Sequence, residues 1–117
     1  MPAPEIEPFR RPDWEPLPYD GCVNVEGRVL YFGDRVGLAV LRFAEHGTIH
    51  EHAGPNDTLV SCLEGEGFTS LGGERAAIRS GERVFWPAGV VHGLWTEGST
   101  MTTLMCELPL AGSTVVG

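Results

Sequence analysis

Three of the four histidines in this sequence have the spacing of a metal site. His50 and His52 are two residues apart. Alternate residues of a β-strand point to the same face, so these two imidazoles would be aimed at one point. Imidazole is a common ligand of zinc, iron and manganese. By itself the pair is equally compatible with two surface histidines. His46 is interpreted as a partly exposed residue at the rim, because Gly47 interrupts the strand.

His92 follows a tight turn. A strand ends at Trp86, the turn Pro87-Ala88-Gly89 follows, and a new strand opens near His92. Such a turn can fix the first side chain of the next strand so that it faces inward. If the strands close into a barrel, His92 could lie opposite the His50/His52 pair.

The remainder of the chain predicts an all-β fold. Nine or ten short strand-like runs alternate with turn signals such as Gly72-Gly73, which is the pattern of a β-sandwich or a closed barrel. Six of the nine prolines lie in residues 1–20. That stretch cannot be a helix or a central strand. We predict an extended proline-rich arm over residues 1–20, a barrel over 21–110 and a flexible tail over 111–117.

The two histidine segments resemble the two sequence motifs of the cupin superfamily. The second motif reads G-x5-P-x-G-x2-H-x3-N and is matched by Gly81, Pro87, Gly89 and His92, with Thr96 at the Asn position. The first reads G-x5-H-x-H-x3,4-E-x6-G and is matched by His50, His52 and Gly65, with Ala44 at the leading Gly position. The resemblance covers residues 36–108. It implies a single antiparallel cupin barrel, a double-stranded β-helix of the jelly-roll kind. It also implies one divalent metal ion (Fe, Mn, Zn or Ni) on His50, His52 and His92.

The glutamate ligand of the first motif has no counterpart here. Counting back from Gly65 places it at Thr58, and counting forward from His52 places it at Asn56 or Asp57. Three alternatives are open: Asp57 becomes a fourth ligand through a local bulge, three imidazoles hold the metal alone, or the site binds metal poorly or not at all. Three neutral ligands leave open positions for water and substrate, the condition for a catalytic site. Among cupins such sites are known in iron-dependent dioxygenases, so the resemblance implies a dioxygenase-like activity.

The faces of two predicted strands indicate a substrate pocket. Its predicted lining residues are Thr58, Val60, Cys62, Leu94 and Thr96. For Cys62 the alternative is a buried, unreactive thiol. The interior of a small barrel is narrow, so the ligand is expected to be a small, largely apolar molecule.

The net charge of the chain indicates which classes of binding partner to expect. The net charge is −8, from 16 acidic and 8 basic residues. An acidic surface repels phosphate backbones and anionic lipids, so we expect neither nucleic acid nor a membrane as a partner. The sequence has no membrane-spanning run and no signal-peptide pattern, and its three cysteines lack CxxC spacing. These features predict a cytoplasmic protein. The arm, with its aromatic residues, suits packing across the boundary of a homodimer.

Three functions remain open at this level. The first is a metal-dependent enzyme, dioxygenase-like, acting on a small organic molecule. The second is a non-enzymatic module that senses a small molecule or a metal. The third is a sugar-binding or sugar-isomerising barrel, which the mostly apolar inner faces disfavour.

Overall fold

Eight β-strands make up the chain in the computed structural model, which describes residues 2–109. No helix occurs in that range, and hence none that could cross a membrane. The strands are β1 (Arg11–Pro16), β2 (Cys22–Phe32), β3 (Gly37–His52), β4 (Asp57–Leu71), β5 (Glu74–Arg79), β6 (Arg83–Trp86), β7 (His92–Trp95) and β8 (Met101–Leu108). All their pairings are antiparallel. The predicted all-β class is confirmed.

The sequence pattern predicts separate short strands on either side of three glycines that lie within single long strands. These are Gly27 in β2, Gly47 in β3 and Gly65 in β4. The pattern predicts breaks there because glycine weakens a strand interior. Gly27 instead lies under Leu17 and Leu41, where a Cβ atom would come within 3.2 Å and 2.8 Å of their side chains. Close packing, rather than a turn, explains this glycine.

β3 and β4 close the barrel because each contributes to two parts of it. Residues 37–43 of β3 pair with β8, and residues 48–52 pair with β7. Likewise the first half of β4 pairs with β8 and β6, and its second half with β5 and β7. The two long strands therefore carry residues from one end of the barrel to the other, and β3 brings its histidines beside β7.

A bend in β3 separates these two halves. His46 has a left-handed backbone with a φ of 57°, and it is exposed. The hydroxyl of Thr96 spans the bend: it accepts a hydrogen bond from the Gly47 amide (2.9 Å) and donates one to the Ala44 carbonyl (2.6 Å). Thr96 therefore determines the direction in which β3 continues toward His50 and His52.

The core lies between the inner faces of the strands. It contains Val60, Cys62 and Leu94, all at most 2% exposed, together with Phe43 and Met101. Residues alternate between this core and the outside along β4, as the pleat requires.

The proline-rich arm includes an edge strand. β1 pairs with β2 through Arg11–Val29 and Pro16–Glu26, with a register irregularity between them. Its Trp14 ring lies under the guanidinium of Arg42, 4.2 Å from the ring centroid. Pro16 has no backbone N–H to donate to a neighbouring strand. Proline is therefore tolerated on an edge strand, which has a partner on one side alone. The predicted tail over 111–117 lies outside the described residues.

Candidate metal and ligand site

The three histidines of the predicted site lie side by side. His52 and His92 are partners in the β3–β7 ladder, and their ring centroids are 4.7 Å apart in an edge-to-face arrangement. The His50 and His52 centroids are 5.2 Å apart. His92 is buried, whereas His50 and His52 are exposed. Strand pairing thus brings together residues that are 40 positions apart in the sequence.

Backbone carbonyls orient two of these rings. His52 Nδ1 lies 2.9 Å from the His50 carbonyl oxygen, and His92 Nδ1 lies 3.0 Å from that of Val90. A ring nitrogen bonded to a carbonyl must carry its hydrogen, so Nε2 of each neutral ring keeps a free lone pair. Metal-binding histidines commonly have this arrangement. Burial, with a smaller effect from His52, lowers the pKa of His92, which favours the neutral form that binds metal.

These donors suit a divalent metal, but they do not converge as arranged. Among residues 2–109, no group of three or more His, Cys, Asp or Glu side chains is placed to hold a metal ion. His50 and His52 are exposed, and exposed side chains change rotamer within nanoseconds. Donor type and tautomer therefore fit a metal, while a three-histidine centre requires movement of exposed side chains.

Trp86 holds the ring of His92. The two rings stack with centroids 4.1 Å apart and an interplanar angle of 9°. Trp86 is 2% exposed, and its Nε1 donates to the hydroxyl of Thr69 (3.1 Å), which donates in turn to the Gly93 carbonyl (2.9 Å). No local sequence pattern indicates this stack, because it depends on the turn that brings positions 86 and 92 face to face.

Asp57, the predicted fourth ligand, forms a hydrogen bond that holds the turn before His92. Its Oδ1 accepts a hydrogen bond from the Ala88 amide at 2.8 Å, and the Gly89 amide donates to the Gly54 carbonyl at 2.9 Å. Asp57 does not line the cavity beside the histidines. Its carboxylate ties the start of β4 to the turn before His92, and the role of Asp57 as a fourth metal ligand stays a prediction.

A cavity of about 750 Å³ adjoins the three histidines. Its walls come from the arm, β2, β3 and the loop after β3, and most of its lining residues are apolar or aromatic. The lining includes Leu17 and Tyr19 of the arm and Ala39 and Leu41 of β3. This size is within the usual range for organic ligands, roughly 300–1,000 Å³.

Only one of the five predicted pocket residues lines this cavity. Thr58 does, with 5% exposure. Val60, Cys62, Leu94 and Thr96 do not: the first three belong to the core, and Thr96 holds the bend in β3. Burial raises the pKa of the Cys62 thiol, which agrees with an inert core cysteine. The four residues are on inward faces, as predicted, but they are packed in the protein interior and do not reach the cavity. The cavity lies toward β2 and the arm.

Several cavity residues had no signal in the sequence. Asn56 is 3% exposed and lines the cavity, as do Arg11, Arg28 and Glu107. Asn56 was considered only as a possible place for the missing glutamate. The others lie on elements whose position relative to the histidines depends on strand register, which local pattern does not report.

A comparison with protein-family models confirms the predicted family. The family model for the cupin domain matches residues 39–107, more than half of the chain. The chain belongs to the cupin family. No match was found among curated proteins.

Several solved structures have the same fold. The polyketide cyclase RemF from Streptomyces resistomycificus has a TM-score of 0.77 at 21% identity, over 91% of this chain and 79% of that one. An RmlC-like cupin from Shewanella frigidimarina has a TM-score of 0.74 at 18% identity, over 92% and 95%. KdgF from Halomonas sp. has a TM-score of 0.72 at 15% identity, over 84% and 88%. At these identities the likeness concerns the fold.

Proposed function

We propose that this cupin is a metal-dependent enzyme acting on a small, largely apolar organic molecule. His50, His52 and His92 would hold one divalent metal ion, and the substrate would occupy the adjoining cavity. The observation that carries the proposal is the pairing of His52 with His92, their rings 4.7 Å apart with Nε2 left free, beside a cavity of about 750 Å³.

Residues of this chain hold the His92 ring in position at the proposed metal site. Trp86 and the Val90 carbonyl support the His92 ring from two directions. Apolar walls exclude water, which strengthens electrostatic interactions with a bound molecule. A divalent metal on imidazoles supplies Lewis-acid polarisation of a substrate oxygen and open coordination positions.

The reaction we propose is dioxygenase-like. A ligand set of three neutral imidazoles would suit this reaction, because it leaves coordination positions open. The hydrogen bond from the Ala88 amide to the Asp57 carboxylate supports such a set, since it gives that carboxylate another partner. RemF is a polyketide cyclase, so an enzyme of this fold can also carry out ring closure. The competing function is a non-enzymatic sensing module, which the absence of a preformed three-donor group within residues 2–109 favours.

Metal analysis tests the proposal. Protein purified without added metal is assayed for Fe, Mn, Zn and Ni, stripped with chelator, and titrated with Co²⁺ and Fe²⁺. We expect one ion per chain, and a loss of affinity of about 100-fold or more in His52→Ala and His92→Ala. His46→Asn is the matched control: His46 is exposed outside the site, and asparagine tolerates its left-handed backbone.

Nitric oxide separates the enzyme from the module. It binds ferrous iron that has an open position and gives a characteristic electron paramagnetic resonance signal. That signal in the iron-restored protein supports the dioxygenase-like reaction. Tightly held zinc without such an iron form supports the module, and no metal binding on titration would reject both.

A further inference from the structure

Glu107 lines the cavity beside one of the positions at which the family motif has its glutamate. It lies on β8 and is the ladder partner of Thr58 on β4. Thr58 is one of the positions at which the family motif places its glutamate. Ladder partners in antiparallel strands share a face, so Glu107 and Thr58 point to the same side of the sheet.

That side is the interior. Thr58 is also the partner of Trp86 on β6, and both are at most 5% exposed. Trp86, Thr58 and Glu107 therefore form one row across three strands. With strands 4.7–4.9 Å apart, the Cα of Glu107 is about 10 Å from that of Trp86. Trp86 carries the His92 ring on its face.

All three residues of the row line the same cavity as His50, His52 and His92. The charged residues that line this cavity are Arg11, Glu15, Arg28 and Glu107. The first three lie on the arm and on β2, outside the row that reaches Trp86. Of the two carboxylates that line the cavity, Glu107 therefore lies in the row of ladder partners that reaches Trp86 and His92, whereas Glu15 does not.

Glu107 is not part of a preformed coordination group with the histidines. Within the described range no set of three donors, the three histidines included, is placed to hold a metal as arranged. Glu107 lines the cavity wall, where it can contact a molecule bound in the cavity. A carboxylate there accepts hydrogen bonds strongly and can accept a proton.

We propose that Glu107 is a catalytic carboxylate of this site and acts on the substrate. It accepts a hydrogen bond from an acidic hydroxyl of the bound molecule, and in the reaction it accepts the proton. The O–H bond breaks, the proton passes to a Glu107 oxygen, and the electron pair stays on the substrate oxygen. The substrate class is then an apolar molecule with an enolic or phenolic hydroxyl. This assignment rests on the proposed function for its reaction.

A matched pair of ligands tests the contact in metal-free protein. The probes are 1-naphthol and 1-methoxynaphthalene. In the second, a methyl group replaces the hydroxyl hydrogen, so the oxygen can no longer donate a hydrogen bond. Dissociation constants are measured by fluorescence titration for the wild type, Glu107→Leu and Glu107→Gln. We expect the wild type to prefer naphthol and Glu107→Leu to lose roughly tenfold of that preference, with Glu107→Gln between them, since a charged acceptor binds more strongly than a neutral one.

The control variant is Glu64→Leu, which changes an exposed glutamate on β4 in the same way. It should keep the wild-type preference. If Glu107→Leu does not fold, the comparison of Glu107→Gln with the wild type decides, with a loss of about threefold expected. An unchanged preference in the Glu107 variants would overturn the assignment, and so would failure of both probes to bind the wild type.

Co²⁺ titration of the same variants separates this assignment from the metal proposal. If Glu107 acts on the substrate and not as a metal ligand, Co²⁺ affinity in Glu107→Leu should remain within about twofold of the wild type. A large loss would make it a ligand and contradict its role as a base. If Co²⁺ binds none of the proteins while the naphthol preference depends on Glu107, the metal proposal fails and the substrate contact stands.

Discussion

His92 is the most constrained of the three histidines because the chain holds its ring from several sides. It is 4% exposed, stacked on Trp86 and bonded to the Val90 carbonyl. His50 and His52 are exposed and have fewer restraints. One ring is therefore preorganised, and the other two can adjust around whatever binds.

Removing the Thr69 hydroxyl should destabilise the protein. In Thr69→Val the buried Nε1 of Trp86 loses its acceptor, and an unsatisfied buried donor costs about 1–3 kcal/mol. Urea unfolding measures this change. Thr102→Val on the opposite face of the sheet is the control and should have a smaller effect. Equal destabilisation of the two variants would contradict the role given to the Thr69 bond.

Acidification should destabilise the metal-free protein through His92. Burial and the neighbouring His52 lower the pKa of His92 in the folded state from its ordinary 6.5. The unfolded chain then binds the proton more readily, so stability is highest above pH 6.5 and falls as the pH drops toward the lowered pKa. Urea unfolding between pH 5 and 8, with chelator present, measures the slope.

The slope between pH 5 and 6.5 should be reduced in His92→Gln and unchanged in His46→Asn. A wild-type slope in His92→Gln would show that other groups are responsible for the pH dependence.

At the scale of elements, long strands and their irregularities position the site. The sequence correctly predicted where hydrophobic runs lie, because alternation is a local property. It did not predict that runs separated by Gly47 or Gly65 continue as one strand, since continuity depends on partners elsewhere: β8 and β7 pair with successive halves of β3 and β4. Glycine signals alone could not distinguish a turn from a close contact.

Gly65 illustrates such a contact and gives a prediction. It has a φ of 76°, and a Cβ atom would collide with the Thr100 carbonyl oxygen. In Gly65→Ala, backbone strain of about 1–3 kcal/mol adds to an overpacking cost of about 1–3 kcal/mol. Thermal or urea unfolding should show a large loss of stability.

Gly81→Ala separates the two effects. Gly81 has a similar φ of 88°, and a Cβ atom added there would meet nothing within 4 Å, so only the backbone strain applies. If Gly65→Ala were no more destabilising than Gly81→Ala, the collision with Thr100 would not be the reason for glycine in this motif.

At the scale of the molecule, the barrel has an apolar outer face. Phe85, Leu59 and Cys106 are successive ladder partners across β6, β4 and β8. They alternate with core residues and therefore point outward. Phe85 is 46% exposed. A continuous apolar row of this kind suits a self-complementary contact between two copies.

We expect a homodimer that uses this face. Phe85→Lys should weaken the dimer, because a charge would be buried at the contact, and sedimentation equilibrium measures the effect. Val91→Lys is the control, since Val91 is 44% exposed on the turn before β7 and away from the row. A monomeric wild type at working concentration would contradict the prediction.

The sequence by itself determined the cupin family and the all-β class, because motif spacing and strand alternation act over a few residues. Tertiary structure brought His92 beside His50 and His52 and decided which residues share space with them. Strand register placed Glu107 opposite Thr58, a turn stacked Trp86 on His92, and the arm formed a cavity wall. Each of these contacts joins distant parts of the chain, so barrel closure rather than local pattern determines it.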